Sequence, residues 1–214
     1  RLGDFYEMFF EDAKLVSKEL EITLTGKDCG LEERAPMCGV PFHSADGYIA
    51  RLVSKGYKVA ICEQMEDPAA AKGIVRRDVI RVITPGTVIE SSMLDESKNN
   101  YLASVCATNG SVGMCFIDIS TGEVNLTEFN ENVEQRVINE MGRYNPTEII
   151  LNKEVVSFTS LSEFISKKLE ASVELLIEEF EFTNAENVCK EHFNTNDLGT
   201  ISLNQRDTAT CALG

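Results

Sequence analysis

Arg1-Leu2-Gly3-Asp4-Phe5-Tyr6-Glu7-Met8-Phe9-Phe10 is the stretch on which the reading of the chain turns. Asp4 can cap the start of a helix, and Glu7, three residues on, completes an Asp-x-x-Glu capping box. Behind it Phe9, Ala13, Val16 and Leu20 recur at spacings of four, three and four, which is one apolar helical face. The pattern predicts a helix over 5–20 with Phe5 and Glu7 at its entrance. A Phe ring can insert between stacked bases, and a carboxyl group can sample a base edge. The same residues also fit an ordinary cap with buried aromatics.

Outward from this stretch, Glu21 to Thr25 alternates and predicts a strand ended by Gly26. Residues 27–35 are polar and Gly-containing, so a loop is expected. Met37 to Val40 predicts a short strand, and the bracketing Pro36 and Pro41 confine it to a strand end or a sheet edge. Ser44 is expected to cap a helix with Ile49, Leu52 and Val53 on one face, stopped by Gly56. Lys58 to Met65 predicts a central strand, 67–73 a short Ala-rich helical turn, and Val75 to Thr84 another strand. Helices interleaved with strands point to a small mixed α/β domain. Pro85-Gly86 and the polar stretch Ser91 to Asn100 read as a linker.

The second half opens with three strand-like runs, Tyr101–Thr108, Val112–Ile119 and Glu123–Phe129, joined by Asn109-Gly110 and Ser120-Thr121-Gly122. A helix over about 131–143, a strand at Glu148–Leu151, a helix over 162–169, a strand at 173–177 and a helix over 185–193 follow. Three antiparallel strands and then helix–strand–helix–strand–helix is the element order of a ribonuclease H-like α/β domain. We therefore expect two α/β domains: 1–96, with the linker from about 85, and 97–214.

The chain has 214 residues, 43% hydrophobic and 26% charged, as expected of a globular protein with a sizeable core. It holds no run of eighteen apolar residues and no signal-peptide pattern. It begins at Arg, so a fragment of a longer protein is expected. Seven cysteines without a CxxC pair and two distant histidines make a zinc site unexpected; the free thiols suit a reducing cytoplasm. The net charge of −15 opposes a broad electrostatic grip on nucleic acid. It divides as −5 over residues 1–96 and −10 over 97–214. The first half also carries a basic run, Lys72, Arg76, Arg77 and Arg81. Any nucleic-acid contact therefore belongs to the first half and is local.

Arg1 to Glu7, Pro36-Met37-Cys38-Gly39-Val40-Pro41-Phe42-His43, Val59-Ala60-Ile61-Cys62-Glu63-Gln64-Met65, Asp67-Pro68 and Arg81-Val82-Ile83-Thr84-Pro85-Gly86-Thr87 lie in the order and spacing of one family. The chain resembles the start of the bacterial MutS family of DNA mismatch-repair proteins, strongly to about residue 125 and more weakly beyond. The resemblance implies a mismatch-recognition domain, N-terminally truncated, followed by a ribonuclease H-like connector domain. It implies that Phe5 stacks on a mispaired base from the minor groove while Glu7 hydrogen-bonds it. A carboxylate only accepts hydrogen bonds, so bonding a purine N7 requires the protonated acid. Lys27, Met37, Lys72, Arg76 and Arg77 are further candidates for DNA contact, while a structural hydrogen bond is the expected role of His43.

By the same resemblance the partners are mismatched double-stranded DNA, MutL and, in the full-length protein, a second copy; no membrane contact and a cytoplasmic location are expected. No G-x-x-x-x-G-K-[ST] phosphate loop occurs here. So this chain is expected to be no enzyme and to hold no cofactor, with ATP and Mg²⁺ belonging to the full-length protein. Two other readings stay open: a non-catalytic interaction module of a MutS relative, and a metal-dependent nuclease on the second domain. The nuclease would place Asp118 where ribonuclease H-like enzymes hold a Mg²⁺-binding Asp, with Glu123, Glu140, Glu148 and Glu186 as further carboxylates at no telling spacing.

Overall fold

The computed structural model describes residues 1–30, 32–66, 73, 75–95, 97–176 and 179–214. They form two compact units, Arg1–Thr84 and Pro85–Gly214. The helical turn expected over 67–73, Gly73 apart, lies outside the described residues.

The first unit departs from expectation at its start. Phe5–Phe9 is a strand, β1, and helix α1 runs only from Phe10 to Leu20. The backbone of β1 finds its partners on strand β3 (Ala35–Pro41), in an antiparallel register from Phe5↔Pro41 to Phe9↔Met37. The Asp4 carbonyl extends that pairing by accepting from the Phe42 N–H at 2.9 Å. There is no capping box: the residue capping α1 is Phe9, and no side chain caps it. Phe10 turns the chain between strand and helix at φ +52°, a region bulky residues rarely enter. The expected apolar stripe survives as Ala13, Val16 and Leu20, which are buried, without Phe9.

Strand β2 is Thr25–Lys27 and contains Gly26 rather than ending at it, because Glu21 closes α1 in the left-handed conformation and postpones the strand. β3 is the central strand of the sheet β1-β3-β2, not an edge. Its prolines are tolerated because β1 pairs only with Met37–Pro41 and β2 only with Ala35–Met37. Pro36 and Pro41 each have a neighbour on one side alone, where a missing N–H costs no ladder bond. A 3₁₀ turn, Phe42–Ser44, precedes helix α2 (Ala45–Val53); the Ser44 hydroxyl donates to the Pro41 carbonyl (3.3 Å) instead of capping the helix. Ile49, Leu52 and Val53 are buried as expected, and Gly56 ends the turn at φ +85°. Strand β4 (Val59–Gln64) is half of a two-stranded antiparallel ribbon with β5 (Arg77–Ile83), not a central strand. The core joins Ala13, Val16, Leu20, Cys38 and Leu52, with Met8, Tyr48, Tyr57 and Val59 packed against it.

In the second unit Pro85 and Gly86, where we expected the linker to begin, are packed in place. The Gly86 N–H donates to Glu148 Oε2 at 2.9 Å, and a Cβ at Gly86 would lie 2.9 Å from Glu148 Cβ. Strands β6 (Leu102–Thr108), β7 (Ser111–Asp118) and β8 (Glu123–Phe129) form the antiparallel meander. Asn109 and Gly110, both at positive φ, make the first tight turn. Helix α3 (Val133–Tyr144), strand β9 (Glu148–Leu151), helix α4 (Thr159–Lys168), strand β10 (Ser172–Leu175) and helix α5 (Phe182–His192) follow in the expected order. The sheet order is β10-β9-β6-β7-β8, with β9 parallel to both β6 and β10. This is the ribonuclease H-like arrangement.

Residues alternate across that sheet. Ala103, Val105, Met114 and Phe116 face α3 and α4 through Val137, Met141, Leu161 and Ile165. Cys106 and Cys115 face α5 and a further helix, α6 (Asp207–Leu213). Burial first of all pushes the Cys106 and Cys115 thiols up to about 12, so both are inert packing groups. α6 comes close to β7 because Gly113 has no side chain: a Cβ there would lie 2.1 Å from the Thr208 carbonyl carbon.

That approach is testable. Gly113→Ala should destabilise the protein by about 1–3 kcal/mol or more through overpacking against backbone. Gly47→Ala, on α2 with open space around its Cβ position, should be neutral or stabilising by up to about 1 kcal/mol. Urea unfolding of both variants checks the contrast.

Candidate nucleic-acid interface

Because β1 is a strand, successive side chains point to opposite faces. Tyr6 and Met8 turn toward the core side, opposite Val40 and Cys38. Phe5, Glu7 and Phe9 turn the other way, opposite Pro41, Gly39 and Met37. α1 and α2 cover the first face. On the second, Phe5 is 46% exposed.

Glu7 is built into this face. Opposite it stands Gly39, where a Cβ would lie 3.5 Å from Glu7 Cγ and 3.2 Å from the Tyr6 carbonyl oxygen. Glycine thus relieves a close approach to the Tyr6 carbonyl, while a side chain there would touch the carboxyl stem in ordinary contact. Lys27, on β2, reaches across β3 so that its Nζ lies 2.6 Å from Glu7 Oε2, and 5.6 Å from the Phe9 ring centroid. Met37 pairs with both Phe9 and Thr25, so it stands beside this group and not among the buried side chains of the core face. On the far face the Tyr6 hydroxyl donates to Glu63 Oε1. Burial, then that bond and the Glu63 charge, push the Tyr6 phenol up to about 12. The strand is thereby pinned from behind.

Four of the expected residues, Phe5, Glu7, Lys27 and Met37, are therefore brought together on one face. Arg76 and Arg77 are not with them; Arg77 opens β5 of the ribbon and Arg76 immediately precedes it. Arg77 Nε donates to the Arg1 carbonyl (3.1 Å) and Nη1 to the Val75 carbonyl (3.0 Å). Arg76 is exposed and lies 3.7 Å from Asp78. Lys72 lies outside the described residues. His43 is in the 3₁₀ turn, edge-on to the Phe42 ring. Gly39 belongs to the strand Met37–Val40 that the sequence offers as a candidate lining of the groove, whereas Phe9 was read only as part of the apolar stripe of a helix. The period-two spacing of Phe5, Glu7 and Phe9 was the signal that could have placed Phe9 on the same face.

The family model described as MutS domain I matches residues 1–92, and that of MutS domain II matches residues 100–214. The chain is 54% identical to a DNA mismatch repair protein MutS from Ruminiclostridium cellulolyticum, over all of this chain and 24% of that protein. It is 54% identical to one from Alkaliphilus metalliredigens, over all of this chain and 25% of that protein. The chain belongs to the MutS family. It spans about a quarter of the length of these relatives and comprises MutS domains I and II. No described helix is long and apolar enough to cross a membrane.

Within MutS domain II, Asp118 occupies the end of β7 and is 1% exposed. Its Oδ1 accepts from the Ser120 N–H (2.9 Å), the Ser120 hydroxyl (2.6 Å) and the Thr121 N–H (3.3 Å), and its Oδ2 from the Asn100 N–H (3.1 Å). Burial disfavours the ionised form, but these donors outweigh burial, so the carboxyl titrates below the usual range. Both oxygens are engaged by protein donors, as in a turn-closing residue.

A depressed folded-state value contributes stability above the unfolded carboxyl range of about 3.9 and loses it as pH falls through the folded value. Asp118→Asn should therefore cost about 1–3 kcal/mol at neutral pH, and the gap to the parent should shrink below about pH 4. Denaturant unfolding of both proteins at pH 7 and pH 3 measures it; a gap independent of pH would contradict the assignment.

Proposed function

We propose that this chain is the mismatch-probing end of a MutS-type DNA repair protein. Phe5 wedges and stacks at the mispaired base, and Glu7 hydrogen-bonds it. The observation that carries this reading is the mounting of an exposed aromatic ring and a carboxylate on one strand face, two residues and so roughly 7 Å apart. A strand pinned on its other face by Tyr6 and Met8 holds both groups to a fixed spacing, as a probe requires.

The energetics favour discrimination by deformability. Inserting a wedge costs a few kcal/mol of unstacking and kinks the duplex by roughly 20–90°. A mispaired step has already lost part of its stacking and pairing, so it opens more cheaply. Glu7 must gain a proton from solvent to donate to a purine N7; on paired DNA its charge repels the phosphates. Lys27 and Met37 line the groove beside the probe, Arg76 and Arg77 contact phosphates from the ribbon side, and Lys72 contacts a phosphate as well.

In the complete polypeptide, ATP and Mg²⁺ act outside residues 1–214, and two copies close around the duplex. The acidic second domain relays the nucleotide state and offers a surface to MutL.

The experiment compares binding of the complete polypeptide to a fluorescent duplex with one G·T mismatch and to its paired twin. Phe5→Ala should lose most of its mismatch preference, about 1–3 kcal/mol of stacking per base, with paired-DNA binding nearly unchanged. Glu7→Gln, a mimic of the neutral acid, should bind paired DNA more tightly and so discriminate less. If Phe5→Ala keeps the parent's preference, the ring is no wedge and the interaction-module reading takes its place.

A further inference from the structure

Lys27 is a cation that the strand register places on the probe face, and its position makes two demands on Glu7 compete. Its ammonium is held 2.6 Å from Glu7 Oε2. The lysine side chain is 41% exposed and the glutamate side chain 15%. The carboxylate is sheltered and the ammonium is reachable from outside. A duplex that brings a base edge to Glu7 necessarily brings phosphate oxygens to the same face, and a lysine ammonium suits either acceptor. As the ionised partner of Lys27 the carboxylate only accepts hydrogen bonds, so in that state it offers the base no donor.

Resting on the probe reading, we propose that Lys27 is a specificity-setting latch on Glu7. In the free protein it pairs with the carboxylate. On DNA it exchanges the carboxylate for a phosphate and releases Glu7 to the base. Breaking the pair opposes binding on every duplex. The loss is offset only where the freed carboxyl finds a base to bond, so the latch penalises paired DNA and spares mismatches.

The test is a double-mutant cycle of Lys27→Met and Glu7→Gln in the complete polypeptide, read on the fully paired duplex over a range of salt. With Lys27 present, Glu7→Gln should tighten paired-DNA binding about two- to fivefold more than it does in the Lys27→Met background, as expected for a partly exposed ion pair. Lys27→Met should also lower the slope of log affinity against log salt by about one, and Lys27→Arg should restore it. Equal tightening in both backgrounds, or an unchanged salt slope, overturns the latch. Thermal unfolding identifies any variant that fails to fold, and Lys27→Gln then replaces Lys27→Met. Because the readout is paired DNA, which the Phe5 ring does not distinguish, additivity here sinks the latch alone. An unaltered mismatch preference in Phe5→Ala sinks the probe reading instead.

Discussion

Five backbone pairs, from Phe5↔Pro41 to Phe9↔Met37, hold β1 against β3, and the rest of the first domain depends on that ladder. It fixes the period at two, which sends Met8 into the Ala13–Val16–Leu20 core and Glu7 out of it. A helix over the same residues would have spread Phe5, Glu7 and Phe9 around its circumference at about 100° per residue. The ladder also brings Gly39 opposite Glu7 and Lys27 within reach of it. Thus the pairing that buries one face of β1 is also what assembles the other.

The failure to read this start from the chain has a physical cause. Asp4 and Glu7 have the spacing of a capping box, and Phe9 happens to continue the phase of α1's apolar stripe. Against those local cues stood a partner strand about thirty residues away, whose contribution no local pattern carries. Pro36 and Pro41 then argued β3 out of the sheet's centre, because a residue pattern does not reveal that neighbouring strands overlap only at Met37. The second domain was more legible. Its turns carry their own chemistry in Asn109-Gly110 and Gly122, and β9 was read to the residue at Glu148–Leu151. Helix α6 escaped notice because Asp207-Thr-Ala-Thr-Cys-Ala-Leu is short and rich in small residues, suited to lying directly on Gly113. Of the site, Phe5 and Glu7 were visible through resemblance. Their shared strand face, and Gly39 beside them, required the fold.

The second domain keeps its cations close to its own carboxylates. Lys98, Arg143, Lys167 and Lys190 are spent on carboxylates three or four residues away. Arg136 lies over the Phe129 ring. Exposed pairs of this kind add little stability, but they leave the excess acidic charge uncompensated. A surface so charged repels phosphates and suits a protein partner. Asp118 follows the same inward habit: four donors converge on it, which makes it a keystone of the β7 turn. Asp118 stands at the end of β7, the second strand of this domain and not the first, and its carboxylate is committed to closing the turn that follows.

On the proposed reading, the sparseness of the first domain's probe is itself what makes it selective. A single stacked ring contributes about 1–3 kcal/mol, which is close to the few kcal/mol needed to unstack a sound step. The two nearly cancel on paired DNA. A broad basic surface would add favourable energy on every duplex alike and drown that small difference, whereas a chain of net charge −15 has only a few local cations to add any. With the balance set near zero, the stacking already lost at a mispaired step is enough to decide whether Phe5 enters.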